Sequence, residues 1–192
     1  MLAILRKGMN FIMKIMFASD IHGSYSAAQK IADTYEKEGA HRLVLLGDLL
    51  YHGPRNPLSK KYNPQSVAEL LNAYKNDILC VRGNCDSEVD QMLIDFPIMS
   101  DYALISADGI DMFLTHGHLY NEQHLPPLKN GSALISGHTH VPRAVKKGSY
   151  MFLNPGSASL PKENFKKSYM IYENGVFVIK DFKNNIIFSL TV

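Results

Sequence analysis

Apolar residues in this chain come in short runs that stop abruptly. Residues 13–19, Met-Lys-Ile-Met-Phe-Ala-Ser, read as a strand buried on both faces. In the next segment Ala28, Ile31, Ala32 and Tyr35 share one helical face, with Ser24 or Ser26 as N-cap and Gly39 as terminator. Residues 42–46, Arg-Leu-Val-Leu-Leu, predict a second strand. A proline-rich loop comes next, longer than most connections and so a place to look for function. Val67, Leu70, Leu71 and Tyr74 then recur at helical spacing over 65–76, and Ile78-Leu79-Cys80-Val81 predicts a third buried strand. This β-α-β-α-β rhythm predicts a parallel sheet in the first half.

The second half changes character. Residues 102–117 form a hairpin signal around Asp108-Gly109, and 132–137 predict another short strand. Residues 169–191 read as an antiparallel meander with turns at Asn174-Gly175 and Asn184-Asn185. Parallel then antiparallel strands, within one chain of 192 residues, predict two sheets packed face to face with helices outside. The run Met1–Phe17 lacks the small-residue cleavage site of a signal peptide, and Arg6 and Lys7 interrupt it. Met9 and Met13 are alternative starts. Residues 1–12 are therefore read as a leader or a misplaced start, and 13–192 as a single domain.

Hydrophobic residues at 46% and charged residues at 20% are ordinary for a soluble chain. A net charge of +2 makes no case for a nucleic-acid or membrane partner, and no segment approaches the ~20 apolar residues of a membrane helix. Cys80 and Cys85 fit neither a disulfide framework nor a CxxC pair, which points to a reducing, cytoplasmic setting.

The chemistry sits at the strand exits. These read Asp20-Ile21-His22-Gly23, Gly47-Asp48, Gly83-Asn84-Cys85-Asp86, His116-Gly117-His118 and Gly137-His138-Thr139-His140. Any one of these is most simply a turn. Five together place Asp, Asn or His beside glycine at every exit, where ligands collect in such sheets. Histidine, aspartate and asparagine without a cysteine cluster suit divalent ions with mixed nitrogen and oxygen coordination, such as Mn, Fe, Zn, Ni or Co. So many donors exceed the needs of one catalytic ion. They match two ions sharing a bridging carboxylate, ~3.5–4 Å apart.

In this order, D-x-H-G, G-D, G-N-x-D, T-H-G-H and G-H-T-H resemble the motifs of the calcineurin-like metallophosphoesterases, in particular the small YfcE-type bacterial phosphodiesterases and their archaeal relatives. The resemblance spans roughly residues 13–192 and implies a four-layer αββα sandwich. It implies that Asp20, His22 and His140 hold a first ion and that Asp48 bridges both. Asn84, His116 and His138 would hold the second. Manganese is the first candidate, with Ni, Zn, Fe, Co and Mg as alternatives. The implied reaction is in-line attack on a phosphodiester by a hydroxide lying between the ions. The catalytic set is then Asp48, Asn84, His118 and Asp86. His118 is either a substrate contact or a donor that orients a ligand, and Asp86 is expected to hydrogen-bond a ligating histidine.

One departure stands out. Many family members carry histidine after the asparagine as proton donor to the leaving group, and this chain has Cys85. A thiol with pKa near ~8.5 is a poor general acid. Its loss as a donor costs roughly 10²–10⁴ in rate. That favours leaving groups needing no protonation, such as aryl oxides. Charge favours a diester too: two divalent cations less two carboxylates and a hydroxide leave a single positive charge. A diester monoanion cancels it, and a monoester dianion overshoots. Arg55, Cys85 and Arg82 are the expected substrate contacts, with Lys60 and Lys61 on the same loop as Arg55. The rival readings are a weak or inactive protein-interaction scaffold of this fold, and a nuclease, which would want a basic groove. The partner expected is a small phosphodiester, and the apolar surface positions suit a homo-oligomer, dimer or tetramer.

Overall fold

The computed structural model describes residues 13–192, so the expected leader at 1–12 lies outside the described residues. The elements run β1 (Ile15–Ala18), α1 (Tyr25–Glu38), β2 (Arg42–Leu45), α2 (Pro64–Asn72), β3 (Ile78–Cys80), α3 (Glu88–Gln91), β4 (Tyr102–Ala107) and β5 (Ile110–Thr115). They continue with β6 (Ala133–Ile135), β7 (Arg143–Lys147), β8 (Tyr150–Asn154), β9 (Ser168–Glu173), β10 (Val176–Asp181) and β11 (Ile186–Thr191). Two mixed sheets result, ordered β11-β10-β9-β1-β2-β3 and β4-β5-β6-β8-β7.

The sheets pack face to face, as the strand pattern predicts. Phe17, Val44 and Leu46 from the first sheet meet Met112, Leu114, Ile135 and Leu153 from the second in one core. The alternate residues Met16, Ala18, Leu43 and Leu45 pack outward against Ala28, Ile31, Val67 and Leu71 of α1 and α2. β1 and β2 are thus covered on both faces, which is why they read as unbroken apolar runs. Each fully buried leucine or phenylalanine contributes about 1.5–3 kcal/mol. Ser24 occupies the N-cap of α1, and Gly39 ends the helix in the left-handed region at φ 60°. The Asp108-Gly109 and Asn174-Gly175 turns have both central residues at positive φ, as two-residue hairpins require.

The second half differs from the expectation in two ways. β5, β6 and β8 are parallel neighbours, mirroring the parallel set β1, β2, β3. The β5-to-β6 crossover, residues 116–132, is irregular and so shows no helical periodicity. Its Tyr120 and Leu128 cover Phe113, Leu134 and Phe152 on the outer side of the second sheet, where α1 and α2 cover the first. The hairpin of β7 and β8 was also not legible. β7 is a short edge strand carrying Arg143, Lys146 and Lys147, and edge strands are often charged.

The consequence for function is topological. Two parallel strand sets, one per sheet, deliver their C-terminal ends to the same side of the sandwich. No helix of the described residues is long and apolar enough to cross a membrane.

Candidate metal centre

Every strand exit singled out above contributes a side chain to one spot. Asp20 and His22 come after β1, Asp48 after β2, Asn84 after β3, His116 after β5, and His138 and His140 after β6. Five of these seven residues sit in the left-handed backbone region: Asp20 (φ 58°), His22 (49°), Asp48 (57°), His138 (65°) and His140 (62°). Such conformations cost about 1–3 kcal/mol each and persist where surroundings enforce them. Here the enforcement is visible. The Asp20 carbonyl accepts hydroxyls from both Ser157 (2.9 Å) and Ser159 (2.7 Å). The His138 amide donates to Asp20 Oδ2 at 3.1 Å.

Glycine is required where the β2 and β3 exits touch. A Cβ on Gly83 would collide with the Asp48 amide and carboxylate. Asp86 ties the same two loops together. Its Oδ2 accepts the amides of Asp48 (2.8 Å) and Gly83 (2.7 Å), and its Oδ1 accepts that of Leu49 (2.8 Å). The expected bond from Asp86 to a histidine ring is therefore replaced by three backbone bonds. Burial raises its pKa to about 6, against the pull of the amides from Leu49 and Gly83.

Three histidines present their Nε2 atoms inward for one reason. His22 Nδ1 faces the carbonyl of Tyr51 (3.0 Å), His116 Nδ1 that of Leu46 (2.7 Å) and His140 Nδ1 that of Leu160 (2.6 Å). A carbonyl accepts only a proton, so each Nδ1 carries a hydrogen and Nε2 is the ring atom left to face a metal ion. His22 and His140 then point Nε2 at each other across 3.2 Å. Buried Asp20 Oδ1, 3.3 Å from His140 Nε2 and 3.7 Å from His22 Nε2, has no hydrogen-bond partner. Two inward-facing Nε2 atoms around a buried carboxylate oxygen call for positive charge between them, and a metal ion supplies it with all three as ligands, so these residues fit a metal ion.

A second donor set adjoins the first. His116 Nε2 lies 3.1 Å from Asn84 Oδ1, 3.2 Å from His138 Nδ1 and 3.4 Å from Asp48 Oδ2. The same Asp48 Oδ2 lies 3.6 Å from His22 Nε2, so one oxygen stands between the two sets. Asp48 Oδ1 is held by the Cys85 amide at 2.8 Å. Burial alone would raise the pKa of Asp48, but His116 and the Cys85 amide hold it well below the carboxylate range. In return His116, though buried, is raised to about 9 by Asp48 and Asp20.

The remaining expected residues divide. Asn84 Nδ2 donates to Cys85 Sγ at 3.3 Å, which turns Asn84 Oδ1 towards His116. Burial and the charges of Asp48, Asp86 and Asp20 push the Cys85 thiol up to about 12. Cys85 lies within reach of His22 and Asp48 but holds its proton. Together with Tyr51, Arg55 and Lys162, Cys85 lines an open cleft of about 760 Å³ above the donors. Arg82 does not line it. Its guanidinium pairs with Asp101 at 3.0 Å and its amide donates to the Ser100 carbonyl, so the structure does not bring Arg82 together with the other expected substrate contacts. Lys60 and Lys61 are exposed and also off the cleft wall. His118 packs edge-on against His116, ring centroids 5.4 Å apart, and among the described residues hydrogen-bonds none of the other histidines of the cluster.

Sequence reasoning missed Lys162 and the Asn154–Ser159 turn that pins Asp20. The latter had a signal, since Asn-Pro-Gly-Ser also comes after a buried strand.

Residues 13–175 match the model of the calcineurin-like phosphoesterase superfamily domain. The chain belongs to this superfamily. It is 46% identical over 168 residues to "Phosphodiesterase YfcE" of Escherichia coli K12, covering 88% of this chain and 91% of that one. The solved structure of YfcE, described as a phosphoesterase from E. coli, superposes with a TM-score of 0.92 at 44% identity, over 93% of this chain and 99% of that one. Vacuolar Protein Sorting 29 from Cryptosporidium parvum shares the fold, with a TM-score of 0.62 at 19% identity over 95% of this chain and 100% of that one. Superfamily membership and the donor cluster together make this protein a metal-dependent phosphoesterase using divalent ions.

Proposed function

We propose that this protein is a phosphodiesterase acting on small diesters with two divalent ions, manganese first among the candidates, in the cytoplasm. The observation that carries the reading is Asp48 Oδ2, which faces His22 of one donor set and His116 of the other. In this assignment Asp20, His22 and His140 hold one ion, Asn84, His116 and His138 the other, and Asp48 serves both. Bound ions would lower the pKa of a water towards neutrality and neutralise the phosphoryl oxygens. The chain's own part is to hold the donors rigid, with each Nδ1 fixed on a carbonyl. Arg55 and Lys162 supply positive charge on the cleft walls for the diester oxygens. Cys85, as a neutral thiol, leaves the leaving group without a strong acid, so aryl oxides depart best. The 46% identity to a named phosphodiesterase supports the same substrate class.

The test uses metal-stripped protein with Mn, Ni, Zn or Mg restored separately, assayed on bis-aryl and mono-aryl phosphate esters. Diester turnover with manganese is expected. Faster monoester turnover overturns the diester assignment. Silence with every metal overturns the enzyme reading and favours a scaffold.

A further inference from the structure

Beside the catalytic cleft lies a second cavity of about 420 Å³, within the ~300–1,000 Å³ range of small-molecule sites. Leu134, Phe152, Val141, Pro142 and Phe165 give it an apolar wall, and Glu122, Arg143, Asn154 and Glu163 are among the polar residues that complete it. It adjoins the cleft at Thr139, which lines both and stands between His138 and His140. A tight turn forms the rest of the partition. The Phe165 amide donates to the Lys162 carbonyl at 3.0 Å, and Glu163 (φ 52°) and Asn164 (φ 62°) are both left-handed. The turn sets Lys162 on the cleft side and Glu163 and Phe165 on the cavity side.

We propose that this cavity seats the retained arm of the phosphodiester and that the arm it takes is aromatic. The proposal rests on the phosphodiesterase reading above. A diester has two arms, and in-line displacement carries the leaving arm directly away from the nucleophile while the retained arm projects to the side of phosphorus. A cavity that adjoins the cleft at Thr139 is placed to take that side arm. Its chemistry selects the occupant. Arg143 is already paired with Glu122 at 2.7 Å, and Glu163 has no ion-pair partner among the described residues, so the cavity offers no free cation for a second phosphate. Half-buried Phe165, and buried Phe152 with the Arg143 guanidinium 6.0 Å over its ring, put aromatic side chains on the wall, which suits an uncharged aryl or nucleobase ring.

Two diesters with the same nitrophenolate leaving group separate the arms, one retaining phenyl and the other methyl. Two inert phosphinates, methyl(phenyl)phosphinate and dimethylphosphinate, report binding without turnover, by calorimetry on the manganese-supplied protein. Phenyl is expected to lower both KM and Kd about tenfold relative to methyl. In Phe165→Ala both ratios fall towards one. Val141→Trp, which fills the cavity instead of widening it, does the same and guards against a folding defect at the turn. Ratios near one in the unsubstituted protein, or ratios that neither substitution changes, overturn the proposal. Failure of the diesterase reading looks different: neither diester turns over, while the phosphinate ratio still reports whether an aryl group enters the cavity.

Discussion

Replacing Asp48 with asparagine separates charge from shape. The side chain is 3% exposed, and its Oδ2 lies 3.4 Å from His116 Nε2 and 3.6 Å from His22 Nε2. Asparagine keeps an oxygen where Oδ1 accepts the Cys85 amide at 2.8 Å, so the loop has no reason to move. What disappears is the buried negative charge placed between the two donor sets. Removing one member of a buried charge pair costs ~3–5 kcal/mol. At about 1.4 kcal/mol per decade this is a loss of roughly 10²–10⁴ in metal affinity. Because one oxygen faces both donor sets, the two-ion proposal requires both ions to weaken together. Calorimetric titration of manganese into stripped Asp48→Asn, with elemental analysis of the loaded protein and diester turnover measured alongside, reads each quantity. Expected are loss of both ions and of activity, with the stripped protein still melting cooperatively but at a lower temperature, since buried His116 loses the carboxylate that raises its pKa. Retention of two ions at unchanged affinity, with activity alone lost, refutes the shared-oxygen argument. Loss of a single ion refutes it too.

Asp86→Asn places an amide group against at least one of three backbone donors, at about 1–3 kcal/mol. At ~2–4 °C per kcal/mol, the melting temperature of the stripped protein falls by roughly 2–12 °C. Manganese affinity falls with it, since Asp48 and Asn84 ride on the tied loops; an unchanged melt contradicts the tether. For Glu38, burial raises the pKa, but bonds from Lys14, Lys180 and Tyr169 outweigh it and lower the pKa from 4.5 to about 2. A carboxylate depressed by folding stabilises above its unfolded pKa and loses that contribution as pH falls through the folded value. Glu38→Gln should therefore reduce stability at pH 6 and flatten the acid limb of the stability curve between about 4.5 and 2; parallel denaturant curves across that range for both proteins would contradict this.

The two sheets, the parallel opening and a candidate donor at each strand exit were legible from local pattern, while the choice of seven ligands among those donors came from the family resemblance. Buried strands such as β1 and β2 leave unbroken apolar runs, and a donor beside a glycine marks each exit, because side-chain period and turn chemistry are local properties. The Asn154–Ser159 turn obeyed the same rule and could have been read the same way. Tertiary structure alone decided the rest. The crossover at 116–132 has no periodicity to announce that β5 and β6 run parallel. Nothing local says that Arg82 turns to Asp101 while Lys162, some eighty residues on, reaches the cleft beside His140. Nor does spacing reveal that Asp86 holds three amides, or that Tyr51, Leu46 and Leu160 carbonyls aim the imidazoles inward. Those assignments depend on which distant backbone ends up within 3 Å, and only the closing of one sheet over the other determines that.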